Sequence, residues 1–69
     1  MHTIHQALNL VFEYHLNKLR GDQKKFIKNM HEGLGGMGEV SDQEILNYIS
    51  PKQADYIKKV AKKFLISTK

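Results

Sequence analysis

The chain has 69 residues, of which 41% are hydrophobic and 26% charged, and eleven Lys or Arg against seven Asp or Glu give a formal charge of +4. This length makes one small domain that buries about 60% of the surface of its unfolded chain, and the lack of cysteine excludes disulfides and thiolate-held zinc or iron–sulfur clusters. No apolar run reaches the ~18 residues of a membrane span, and the start of the chain has no charged flank leading into an uninterrupted apolar segment; a soluble, cytoplasmic protein with no membrane role is expected.

Thr3 and Gln6 have capping-box spacing, and Ile4, Leu8, Val11, Phe12, Leu16 and Leu19 recur at helical intervals. This predicts a first helix over about 3–20. Ala7, Leu10 and Tyr14 widen its apolar arc beyond the ~100° stripe of an ordinary surface helix. Such a helix is either central to its own domain or half of a homodimer interface.

Gly21 is expected to close this helix and Asp22 to cap a second one over about 22–33, folded back on the first. Phe26, Ile27, Met30 and Leu34 share one arc of that helix, and Lys24, Lys25 and Lys28 share the opposite one. Four glycines in Gly33–Gly38 predict a loop over 33–40, because each forfeits backbone entropy in a helix. Its position after a helix, without a Lys-Ser/Thr ending, argues against a phosphate-binding loop.

Ser41 with Glu44, and Ser50 with Gln53, start two further helices over about 42–49 and 51–66, the second opened by Pro51. Val40 is placed to staple Ile45, and Ile45, Leu46 and Ile49 form the expected core face of the third helix. The fourth is expected to bury Ala54, Ile57, Val60, Ala61, Phe64 and Leu65, with its last residues fraying. The expected fold is all-α, a compact four-helix domain with a glycine-rich connection.

Charge is segregated along this framework. Residues 1–30 hold five basic and two acidic side chains, residues 31–50 four acidic and no basic ones, and residues 51–69 six basic and one acidic. On the fourth helix Lys52, Lys59 and Lys63 fall within about 40° of one another, Tyr56 borders them, and Lys58 and Lys62 form an adjacent row. Several lysines on one rigid surface neutralise phosphates additively, and an aromatic ring can stack on an exposed base. The only arginine is Arg20, so base reading by bidentate guanine contacts is not expected. A helix-turn-helix spends three or four residues on its turn, whereas here the corner is Ser50-Pro51.

The other constellations point away from chemistry. His2 and His5 stand one helical turn apart without the third and fourth ligands that zinc sites use. His15 falls within the apolar stripe, where a packed histidine with one satisfied nitrogen is expected and a pH-sensitive contact is the alternative. Glu39, Asp42 and Glu44 cluster at a helix start, where the dipole stabilises them. With no nucleophile–base pair, paired carboxylates or metal set, neither an enzyme nor a cofactor is expected.

The segment 50-SPKQADYIKKVAKKF-64 resembles a short helical signature of phage and bacterial DNA-processing accessory proteins: Ser-x-Lys-Gln, an aromatic or apolar pair, then a Lys-aromatic ending. Phe26-Ile27 and a following glycine-bearing spacer also have counterparts in that pattern. Here the spacer is richer in glycine and the helix at 42–49 reads as an insertion. The resemblance implies an accessory role near DNA in a phage or mobile element and assigns no site residues.

Two functions are therefore expected in order. The first is a nucleic-acid-binding accessory or regulatory protein contacting phosphates through Lys24, Lys25, Lys28, Lys52, Lys59 and Lys63, with Tyr56 beside them. The second is a phage-type modulator that docks on a host enzyme or nucleoprotein complex through Leu10 and Tyr14, with the acidic 39–44 stretch as a second contact.

Overall fold

A computed structural model describes residues 1–68, and among them the fold is all-α, with four helices. Helix α1 begins at Ile4, behind Thr3, whose hydroxyl accepts from the Gln6 amide while the Gln6 side chain accepts from the Thr3 amide. It runs as α-helix only over Ile4–Leu10, widens into a π turn over Val11–His15 and tightens to 3₁₀ over Leu16–Lys18. One regular helix over 3–20 is therefore corrected. Around the wide turn Phe12 stacks on His31 with ring centroids 3.7 Å apart, and His15 stacks on Phe64 at 4.3 Å.

The chain then extends through Leu19 and Arg20 and turns at Gly21, whose φ of 59° lies in the left-handed region that glycine tolerates without a Cβ clash. Helix α2 spans Gly21–Leu34. Its N-cap position belongs to Arg20, which makes no side-chain cap, so Asp22 lies in the first turn rather than capping it. The helix also continues through Gly33 to Leu34. Tertiary contacts override the glycine there: the Leu34 side chain is buried, and its carbonyl accepts a 2.8 Å hydrogen bond from the buried His5. A carbonyl can only accept, so His5 carries its proton on Nε2.

Helix α3 is a single turn, Asp42–Ile45, followed by tight bonds from Asn47 N–H to the Glu44 carbonyl and from Tyr48 N–H to the Ile45 carbonyl. This tightening keeps Ile45 and Ile49 inside and turns Leu46 outward to 48% exposure, contrary to its expected core role. The Ser41–Glu44 box forms by half: Ser41 Oγ accepts from the Glu44 amide and donates to Glu44 Oε1 instead of leaving that carboxylate to the Ser41 amide. Val40 and Ile45 are both buried in the core, as a hydrophobic staple requires.

Helix α4 spans Pro51–Lys63 behind a complete Ser50–Gln53 capping box. It ends three residues short of the expected 66. Leu65 N–H donates to the Lys62 carbonyl and Ile66 N–H to the Ala61 carbonyl, the bond pair of a Schellman cap, with Leu65 in the left-handed C′ position at φ 62°. Leu65 is consequently 93% exposed, not buried. Against the expected fraying, Ser67 and Thr68 are tied back to the start of the chain: His2 N–H donates to the Ser67 carbonyl at 2.9 Å, and His2 bridges Thr68 in a parallel sense, while Lys69 lies outside the described residues.

Helix α1 packs against all three other helices, so its apolar breadth serves a central position in its own fold. Ile4, Ala7, Leu8 and Val11 meet Ile27, Leu34, Val40, Ile45, Ile49, Ala54, Ile57, Val60 and Ala61 in one core. A second tie crosses the sequence: the Ile4 amide donates to Asp42 Oδ1 at 2.7 Å, so α3 lends a carboxylate to the N-terminus of α1.

Candidate nucleic-acid interface

The surface strip on α4 is fixed by the burial of its opposite side. Ala54, Ile57, Val60 and Ala61 are 3% exposed or less, which turns Lys52, Lys59 and Lys63 out to solvent. Tyr56 is half-buried at the margin of this strip, its ring tilted by 52° against Phe26 of α2 at a centroid distance of 4.7 Å. Lys63 Nζ donates to Gln23 Oε1 at 3.1 Å, a second tie between α4 and α2. Gln23 and Phe26 thus support the strip from α2, and neither role is legible in the sequence, since both act across helices.

The lysines of α2 do not join this strip. Gln23 and Phe26 mark the side of α2 that meets α4, whereas at about 100° per residue Lys24 and Lys28 lie roughly 100–140° round from Gln23, away from Phe26. Lys24, Lys25 and Lys28 instead line a shallow hollow of about 260 Å³ with Gly21 and Asn29. Lys58, Lys59 and Lys62 line a separate groove of about 800 Å³ with Asp55 and residues 65–68. The basic surface is therefore several patches, of which the Lys52–Lys59–Lys63 flank is the most rigidly backed.

The acidic segment lies elsewhere. Glu39, Ser41 and Glu44 border a groove of about 580 Å³ whose other walls include Thr3, His5, Gln6 and Asn9 of the first helix and its cap. Asn9 Oδ1 and His15 Nδ1 are buried polar atoms without a hydrogen-bond partner among the described residues. Among the described residues no three His, Cys, Asp or Glu side chains are grouped to hold a metal ion. His2 turns Nδ1 to the Ser67 carbonyl and His5 turns Nε2 to the Leu34 carbonyl, so the two share no ligand position. No helix among the described residues is long and apolar enough to cross a membrane.

Of the two residues expected at a protein interface, Tyr14 is 69% exposed and Leu10 is half-buried outside the core cluster. No family model, curated protein or solved structure matches this chain. The resemblance of residues 50–64 to DNA-processing accessory proteins thus gains nothing from these comparisons.

Proposed function

We propose that the protein is a non-enzymatic nucleic-acid-binding accessory module that contacts phosphates through Lys52, Lys59 and Lys63, with Tyr56 alongside and Lys24, Lys25 and Lys28 as a second patch. The observation that carries this reading is the α4 flank itself. Its three ammonium groups sit on one exposed side of a helix that is capped at both ends and braced on α2 by Phe26 and Gln23. A backbone held on such a frame has little further freedom to lose when it meets a regular polyanion, so the ordering cost falls on the lysine side chains alone. A backbone-directed contact of this kind carries no base preference.

The test is a salt titration of binding to mixed-sequence duplex. Each phosphate contact contributes about −0.9 to the log–log slope, so replacing Lys52, Lys59 and Lys63 by Gln together reduces the slope by about 2.7. Absence of binding at low salt, or an unchanged slope in the triple variant, overturns the proposal.

A second reading rests on Tyr14, which is 69% exposed, and on Leu10, half-buried outside the core cluster. It makes the chain a protein-binding modulator docking on a host enzyme or nucleoprotein complex through α1. Leu10→Asp with Tyr14→Ala then abolishes capture of a protein partner while leaving duplex binding intact.

A further inference from the structure

Apart from Met1 at the start of the chain, two exposed apolar patches remain outside both readings, and they lie in segments of opposite charge. At the C-terminal end of α4, Leu65 is 93% exposed at φ 62°, a conformation and an exposure that both suit glycine better than leucine. It stands in the groove of about 800 Å³ shared with Lys58, Lys59, Lys62 and Ile66, with Asp55 the carboxylate among them. The pairing of His2 with Ser67 and Thr68 holds the tail side of this groove in place. Ahead of the N-terminus of α4, Leu46 and Tyr48 are 48% and 59% exposed in the turn after α3, close in sequence to the exposed Glu44. A protruding leucine flanked by the ammonium groups of Lys58, Lys59 and Lys62 complements an exposed apolar turn that follows an exposed carboxylate in the chain.

The 13 residues of α4 put about 20 Å between the Leu46–Tyr48 turn at one end and Leu65 at the other, so the turn and Leu65 do not meet within one molecule. We propose that the protein self-associates head to tail, the Glu44–Tyr48 turn of one molecule seating on the Leu65 groove of the next. Two unlike surfaces form this contact, so each added molecule leaves a free groove at one end and a free turn at the other, and assembly proceeds to a ring or a short filament. This differs from a two-fold dimer through α1 and requires no nucleic acid.

Sedimentation velocity on nucleic-acid-free, full-length protein tests it. Association rises with concentration at about 0.01 M salt and weakens at least about tenfold near 1 M, as the screening length falls from ~30 to ~3 Å. Leu65→Gly and Leu46→Lys each alter an exposed side chain, keep the helical circular dichroism spectrum and weaken association by about tenfold or more. Mixed one to one, they leave a single intact pairing, the Leu46 turn of the first variant on the Leu65 groove of the second, and form dimers that grow no further. A wild-type protein that stays monomeric at low salt, or a mixture that stays monomeric, overturns the proposal. A failure here leaves the phosphate-binding reading standing, because the slope experiment uses other residues except Lys59.

Discussion

Removing the Asp42 carboxylate should destabilise this domain more than any surface charge change on α4. Asp42 Oδ1 accepts from the Ile4 amide at 2.7 Å, across 38 residues of sequence, and Ile4 is 3% exposed. Asp42→Ala removes a hydrogen bond to a charged acceptor and leaves a donor near the core unpaired, for a loss of about 2 kcal/mol. The same carboxylate faces the N-terminal dipoles of α1 and of its own helix, which adds a few tenths of a kcal/mol. A core of this size supplies roughly 3–5 kcal/mol, so the change consumes a large part of the margin. At about 4–8 °C per kcal/mol the midpoint falls by roughly 8–16 °C. Asp42→Asn retains an acceptor without the charge and should lose about half as much. Asp55, exposed on α4, is the control, and Asp55→Ala should stay within about 0.5 kcal/mol of wild type. Thermal and urea melts followed by circular dichroism measure these differences, and hydrogen exchange reports on the Ile4 amide. An Asp42→Ala variant as stable as the Asp55→Ala control, with Ile4 exchange unchanged, would refute the cross-helix cap.

Three other substitutions separate backbone, steric and polar contributions. Leu65→Gly relieves a left-handed leucine costing about 1–2 kcal/mol while enlarging unfolded-chain entropy by about 0.4–1, so a net gain near 0.5–1 kcal/mol should appear as a higher urea midpoint; a lower midpoint contradicts the strain assignment. At Gly35 an added Cβ would sit 2.6 Å from both the Nε2 and the carbonyl oxygen of His31, whose ring is stacked on Phe12. Gly35→Ala should therefore cost about 1–3 kcal/mol, and unaltered stability would show that the end of α2 relaxes freely. His5→Phe removes the buried donor to the Leu34 carbonyl at an expected cost of about 1–3 kcal/mol. Nitrogen-15 NMR of the wild type should show the Nε2–H tautomer at His5; the opposite tautomer rules out that bond.

Features that depend on neighbours one or two turns away are legible in the amino-acid order. Thr3–Gln6 and Ser50–Gln53 form complete capping boxes because their partners lie three residues apart, and Pro51 occupies the first turn, where a missing N–H costs nothing. The buried stripe of α4 also follows from helical period, and with it the outward lysines. Periodicity could not decide where a helix loses its regular phase. The π turn in α1, the early end of α3 and the Schellman cap at Leu65 each rotate or end a helix, and they move Leu46 and Leu65 from the expected core to the surface.

The remaining features come from packing between elements, because the forces involved join residues distant along the chain. Burial of the Leu34 side chain and the His5 bond to its carbonyl carry α2 through a glycine that local propensity would make a helix end. Asp42 completes a helix that begins 38 residues earlier, and His2 secures the tail. The separation of the α2 lysines from the α4 strip follows from how the two helices are rotated when Phe26 meets Tyr56 and Gln23 meets Lys63, an angle set by packing and invisible to either helix alone.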